Sequence, residues 1–374
     1  HEANEETPAK RISCCSIVHY HDEGGYGRFG PMGPRSVVHL GPVESRGGMS
    51  GVIAALVAKP PDGWVASSIP THSEGGAFRK LSAYFRARRA LARMLRQGSI
   101  DLAHFHVTHS MSWWRKRSLM RACERNGVPS IVHIHSGRFD DFCSGIAGNS
   151  VRRTLSKESR RTVVLEQRWL RLLAQWVPED AVVIPNTTEP LADRSGHRTG
   201  DEVRLLVMSR DSRGKGHVFA TRVLEALQER GVVARLVMTG RSSPPRSTVD
   251  EGSIEALGWV DSDRRGELIS WADFLLMPSE FEGSSLSVIE AMACGLPCLV
   301  SPASEETVGV ESLILPIDVP GEWAKRIDFL RVPDTYGKVV TSVLAQADRF
   351  SPNRARSKLG DLYEELVGPS NDSH

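Results

Sequence analysis

Short apolar runs, closed by glycine, proline or polar residues, recur along the chain, and most are followed by a stretch with helical spacing. Val37-Val38-His39-Leu40 is the first. It leads through Gly41-Pro42 and the Gly47-Gly48 pair into a helical pattern over Val52 to Ala58. Two further runs end in histidines, Leu102 to His106 and Ile131 to His135. The alternation of a strand puts His104 with His106, and His133 with His135, on shared faces. Val182 to Ile184 closes the first half at Pro185-Asn186. In the second half Val203 to Met208, Leu236 to Gly240 and Phe274 to Met277 read as buried strands. Helices follow over His217 to Arg230 and from Leu286 to Ala293, the latter stopped by Gly295 and Pro297. Alternating strands and helices in both halves predict an α/β protein of two doubly wound domains facing a cleft.

Boundaries follow from composition. Residues 1–35 are rich in Gly, Pro and charge and are expected to form a mobile leader. Its Gly25-x-Gly27-x-x-Gly30 is rejected as a dinucleotide site, because Pro31 and Pro34 prevent the helix such a loop must open. The first domain is placed at 36–186, a polar linker at 187–201, the second domain at 202–349 and a terminal helix at 350–370.

The longest helical pattern is Ala77 to Gln97. Phe78, Leu81, Phe85, Ala92 and Leu95 are read as its core-facing side. Arg79, Lys80, Arg86, Arg88, Arg89, Arg93 and Arg96 lie on the other, with no acid among them. Such a face is either simply solvated or suited to an anionic membrane surface. Over the whole chain the charges nearly cancel, with 47 Lys+Arg against 45 Asp+Glu, which gives no global nucleic-acid footprint. No apolar run is long enough to span a bilayer. The six cysteines are scattered without metal or disulfide spacing, which suits reduced thiols and a cytoplasmic location. The paired histidines lack an acidic or cysteine partner to complete a zinc set. Asp261-Ser262-Asp263 reads as a helix start, and no metal is assigned.

The chemistry concentrates in Pro278 to Ser301, a strand end, a tight polar loop and a helix N-terminus with one glutamate on each side, Glu282 and Glu290. A helix N-terminus suits a phosphate, and a carboxylate beside it suits sugar hydroxyls. Spacing alone leaves a second reading open, since Ser287 and Glu290 also spell a capping box. Ser209 to Gly216, with Arg210 and Lys215, repeats the strand, basic loop and helix layout.

The segment PSEFEGSSLSVIEAMACGLP resembles the glutamate-pair motif of retaining glycosyltransferases of family four, which have the GT-B fold. The loop reads Gly-Ser-Ser where that family usually has Gly-Phe-Gly. The resemblance implies that Glu282 lies by the donor sugar and Glu290 holds the ribose. It implies that the amides of Ser284, Ser285 and Leu286 meet the diphosphate, with Arg210 and Lys215 neutralising it. It places Gly47 and Gly48 against the donor phosphate, and Trp259 and Val260 at the nucleotide base. His135 stands near the transferring sugar, with His133 as the fallback. Ser112 to Lys116 either touches acceptor phosphate or is only a cationic helix start, and Arg138 to Asp141 borders the acceptor. The terminal helix is expected to return to the first domain. The implied activity is sugar transfer, with retained configuration and without a metal or other cofactor, from a UDP- or GDP-sugar to a glycan or lipid-linked acceptor. The work would be done at the inner membrane face, in polysaccharide or glycolipid synthesis. A GT-B-like nucleotide-sugar epimerase and a non-catalytic membrane scaffold are the alternatives.

Overall fold

The computed structural model describes residues 33–368 apart from 46, 196, 198, 199 and 251, so residues 1–32 of the expected leader, with the Gly25–Gly30 pattern, lie outside the described residues, while Arg35 at its expected end already opens the first strand. The first half builds a six-stranded parallel sheet in the order β2-β1-β3-β4-β5-β6. Its strands are β1 (Arg35–Gly41), β2 (Trp64–Pro70), β3 (Leu102–Val107), β4 (Ser130–Ile134), β5 (Arg160–Val164) and β6 (Val182–Val183). The helices between them are α1 (Gly48–Ala58), α2 (Ala77–Gln97), α3 (Met111–Arg125), α4 (Phe139–Phe142), α5 (Gly148–Leu155) and α6 (Gln167–Leu172).

The second half builds a five-stranded parallel sheet in the order β11-β10-β7-β8-β9. Its strands are β7 (Val203–Val207), β8 (Ala234–Thr239), β9 (Ile254–Leu257), β10 (Phe274–Met277) and β11 (Cys298–Val300). They alternate with α7 (His217–Glu229), α8 (Ser262–Trp271), α9 (Leu286–Ala293) and α10 (Glu305–Val308). Then come α11 (Pro320–Leu330), α12 (Pro333–Ala347) and α13 (Pro352–Val367). The central strands are mostly apolar and buried on both faces because helices cover both sides of each sheet. β10 and β3 are buried at every position.

The last helix leaves the second sheet and packs on the first. Ala355, Leu359, Leu362 and Tyr363 of α13 join Val37, Trp64, Leu102, Ile131 and Val163 in one cluster. The Trp64 indole donates to the Glu364 carboxylate at 2.8 Å. The opposite face of this sheet, with Val38, Leu40, Phe105 and Val132, packs on Trp113, Leu119 and Met120 of α3.

One reading from the sequence is corrected. In α2 the buried side chains are Ala83, Ala87 and Leu91, while Phe78 is 89%, Leu81 52% and Phe85 47% exposed. The small alanines let the helix axis approach the domain closely, so the aromatic stripe faces outward among the arginines. Leu95 and Met94 pack at the rim of the core, as does Tyr84. The acidic pair Asp261 and Asp263 takes the helix-start role. Asp261 is the N-cap of α8 and its carboxylate accepts the Arg264 amide at 2.9 Å.

Candidate functional site

In the second sheet the chain leaves β7 toward β8, while β10 lies on the other flank. The ends of β7 and β10 therefore form a topological switch point, where open α/β sheets leave a crevice for ligands. The two loops that meet there are residues 208–216 and 278–285. They are tied by the Glu280 amide, which donates to the Gly214 carbonyl at 2.8 Å. Gly216 has φ +76°, and a β-carbon on it would lie 2.3 Å from the Pro278 carbonyl oxygen, so only glycine lets the loops close on each other.

That closure sets the side chains. The Lys215 ammonium donates to Glu282 Oε1 at 2.6 Å, and the pair is mostly shielded from water. Arg210 stands exposed on the same loop. Ser285 is the N-cap of α9, and the first helical bond runs from the Ile289 amide to the Ser285 carbonyl at 3.0 Å. The amides of Leu286, Ser287 and Val288 thus have no partner within the helix. Ser284 and Ser285 are both buried. The capping-box reading fails here. Ser287 lies inside the helix, and its hydroxyl donates to the Met208 carbonyl at 2.7 Å. Glu290 instead pairs with Arg265 of α8 at 2.9 Å and is 3% exposed. Burial pushes its carboxyl up to about 7, against the pull of Arg265. At the end of β9, Trp259 is half exposed and Val260 packs on the core. The Gly240 amide fixes this segment by donating to the Gly258 carbonyl at 2.8 Å.

The first domain meets these loops directly. A β-carbon on Gly283 would sit 2.6 Å from the His135 carbonyl oxygen, and one on Gly137 would sit 2.4 Å from the Glu282 carbonyl carbon. Gly48 faces Leu286, whose side chain would lie 3.4 Å from a β-carbon there. Gly47 has φ +147°, in the region that favours glycine. Gly47, Gly48 and His135 are therefore brought to the loop that carries Glu282 and the start of α9. Trp259 and Val260 follow β9, two strands from β7 in the same sheet.

His135 belongs to a larger group. Period-two alternation and strand register put His39, His104, His106, His133 and His135 on the face covered by α13. His39 pairs with His104, and His106 with His133, across the ladder. His39 Nδ1 and His106 Nε2 are 3.0 Å apart, and His106 Nδ1 and His135 Nε2 are 2.9 Å apart. A parallel chain runs from Tyr363 to His104 Nδ1 at 2.9 Å and from His104 Nε2 to His133 Nδ1 at 3.3 Å. Burial lowers the pKa of His39 and His133 to about 3, and of His104, His106 and His135 well below the usual value. Burial thus favours the neutral form of all five imidazoles. The nitrogens of His39, His104 and His106, and of His106, His133 and His135, lie within 4.8 Å of one another, close enough to share a cation. The rings of His104 and His106 stack at 4.5 Å and 5°, which aims their in-plane nitrogens side by side instead of at one point.

Sequence reasoning missed the residues that hold the two domains together at this place. Arg168 donates to the Glu282 carbonyl at 2.7 Å and the Trp169 indole to the Gly283 carbonyl at 2.6 Å. The Asn186 amide donates to the Ser284 carbonyl at 3.1 Å. Glu306 of the second domain in turn accepts the backbone amides of Gln167 and Arg168 at the start of α6. The sole signal in the sequence is that Arg168 and Trp169 follow the carboxyl end of a strand. Arg265, the partner of Glu290, carries no signal beyond its place on a helix.

Two facing parallel sheets with these loops between them define a GT-B fold. Over the whole of it the chain is similar to sucrose-phosphate synthase from Thermosynechococcus elongatus, with TM-score 0.67, 16% identity, and 89% of this chain and 99% of that one covered. It is similar also to HepE of Anabaena, solved in complex with UDP and glucose, with TM-score 0.63, 14% identity, and 87% and 98% covered. Residues 55–190 match the family model described as Glycosyltransferase Family 4, and residues 202–331 that described as Glycosyl transferases group 1. The chain belongs to the glycosyltransferases of the family-four type. Among curated proteins it is 32% identical over 126 residues to the putative glycosyltransferase EpsF of Bacillus subtilis, covering 30% of this chain and 32% of EpsF. It is 32% identical over 120 residues to the O-antigen chain mannosyltransferase B of Escherichia coli, covering 31% of each. The chain thus aligns with about a third of the length of these relatives. An epimerase finds no support among these likenesses.

Proposed function

We propose that this protein transfers a sugar from a nucleotide diphosphate sugar to an acceptor hydroxyl with retention of configuration. The observation that best supports this reading is the Lys215–Glu282 pair at the β7/β10 switch point, beside the unpaired amides that open α9. An incoming diphosphate takes Lys215, Arg210 and the amides of Leu286 to Val288. Glu282, released from Lys215, accepts hydrogen bonds from the donor sugar. These fixed cations and dipoles stabilise the negative charge that grows on the leaving diphosphate as the glycosidic C–O bond breaks. The acceptor oxygen enters from the same face and its proton passes to the departing phosphate oxygen, so no metal ion and no covalent enzyme intermediate is needed. His135, neutral and held by His106, orients the sugar. Glu290 takes the ribose, and the backbone near Trp259 and Val260 the base.

The acceptor is a growing glycan or a lipid-linked sugar, in keeping with the names of the relatives, which include an O-antigen chain mannosyltransferase. Among the described residues no helix is long and apolar enough to cross a membrane. The outward Phe78, Leu81 and Phe85 among the arginines of α2 support docking on the anionic cytoplasmic leaflet. The experiment is a thermal-shift panel of UDP, GDP and their sugars with and without EDTA, followed by NMR of the product anomer. Stabilisation by one nucleoside diphosphate that EDTA leaves intact, with a product of the donor's configuration, is expected. A flat panel or an inverted product overturns the reading.

A further inference from the structure

Three consecutive carbonyls of the glutamate loop are each taken by a side chain of the first domain. Arg168 donates to Glu282 at 2.7 Å, the Trp169 indole to Gly283 at 2.6 Å and the Asn186 amide to Ser284 at 3.1 Å. All three donors follow the neighbouring strands β5 and β6. They have little freedom of their own. Arg168 forms an ion pair with Glu166 at 2.7 Å and lies 5.0 Å from the centroid of the Trp169 ring. Glu166 is 4% exposed and accepts the Thr307 hydroxyl of the second domain. The Glu306 carboxylate fixes the start of α6 by accepting the amides of Gln167 and Arg168. Trp169 packs in the core of the first domain, and Asn186 is buried.

These contacts decide where the other side of the loop points. A trans peptide turns its C=O and the N–H that follows in opposite directions, and the described residues contain no cis peptide. With the carbonyls of Glu282, Gly283 and Ser284 turned to those side chains, the amides of Gly283, Ser284 and Ser285 face away from them. In sequence they run on into the unpaired amides that open α9. Among the described residues these three amides donate to no protein acceptor, although Ser284 and Ser285 are only 7% and 4% exposed. Such amides are costly unless a ligand supplies oxygens, and successive amides on one side of a bend make a nest for an anion.

We propose that Arg168, Trp169 and Asn186 are positioning residues, which by holding three carbonyls aim the amides of Gly283, Ser284 and Ser285 at the donor diphosphate. The amides adjoin Glu282, the group assigned to the sugar, so the phosphate they face is the one that bears the sugar. The first domain thereby sets the aim of dipoles that the second domain carries. Dipoles fixed in advance need no reorganisation as the leaving group gains charge. This role rests on the glycosyltransferase reading and deepens it.

The nucleoside diphosphate selected by the thermal-shift panel, UDP or GDP, is titrated by calorimetry into the whole chain, with its monophosphate as the comparison. Trp169→Phe keeps a ring and deletes the N–H. It should weaken the diphosphate by about fivefold to tenfold and leave the monophosphate within about twofold. It should also lower kcat by about tenfold or more with KM for the acceptor unchanged. Asn186→Leu, of similar length and without the N–H, is the second variant should Trp169→Phe fail to fold, and the same pattern is expected. Arg168→Lys retains a donor and should keep more of kcat than Arg168→Met. Arg171 of α6 meets Glu306 at 3.9 Å and is mostly exposed. Arg171→Ala loosens the domain contact without touching the loop and should behave as the wild type. Equal losses for the two nucleotides, the same loss in Arg171→Ala, or wild-type diphosphate affinity in Trp169→Phe and Asn186→Leu overturns the positioning role alone. A wild type that binds neither nucleotide overturns the glycosyltransferase reading, and this role with it.

Discussion

Lys215 and Glu282 pair across 2.6 Å, and the proposed diphosphate would compete with Glu282 for Lys215. Removing either leaves the other without its charge partner inside a loop that the backbone already holds. Lys215→Ala and Glu282→Ala are expected to lower kcat by about 100-fold to 1000-fold with an unchanged circular dichroism spectrum, the loss seen when one preorganised charge-stabilising group is deleted. Near-normal turnover in either variant would remove that residue from the site. Glu290 makes a prediction about pH. Its carboxyl holds a proton up to about pH 7 in the fold, against 4.5 as the ordinary value. Between those values the folded chain binds more protons than the unfolded one, so this group's contribution to stability falls as pH rises from about 4.5 through 7. Glu290→Gln does not titrate, so its melting temperature should gain on the wild type as pH goes from 5 to 8, while UDP binding weakens. A gap that is constant with pH would show that Arg265 fully offsets the burial. Both glutamates, Arg210 and Lys215 were legible in the sequence because loop chemistry and helix starts are local. Arg168, Trp169 and Arg265 were not, since their partners lie far away in the chain.

At the level of elements, α2 is the clearest divergence between pattern and structure. Its helical period is plain, but the period does not say which stripe turns inward. Ala83, Ala87 and Leu91 do so because small side chains permit closer packing than a phenylalanine ridge. The outward stripe therefore sets Phe78, Leu81 and Phe85 among the arginines of α2. Replacing Arg79, Arg86, Arg89 and Arg93 with serine should release the protein from vesicles containing anionic lipid, and the loss should be mimicked by raising salt. Equal flotation of variant and wild type would confine α2 to a solvated role. Strand β10 and helix α9 behaved differently, since Pro278, Gly295 and Pro297 punctuate them in the sequence itself.

For the molecule as a whole, α13 couples the end of the chain to the first domain. It covers the sheet face on which the five histidines lie, and Tyr363 bonds to His104. A fragment of residues 33–190 leaves that face bare and should bind a hydrophobic dye and aggregate. The same fragment joined by a flexible linker to residues 352–367 should fold with the dispersion of a native NMR spectrum. A well-folded fragment without the helix would show that α13 is dispensable to the first domain's core. The alternation of apolar runs and helical periods determined by itself that there would be two doubly wound domains, and turn residues set where most of their strands stop. The order and register of the strands belong to the tertiary structure. They align His39 with His104 and His106 with His133, bring Lys215 to Glu282, and lay Arg168 and Trp169 on the loop of the other domain. Periodicity arises from neighbours along the chain, whereas these meetings depend on which strands lie side by side, a choice made by the burial of whole faces at once.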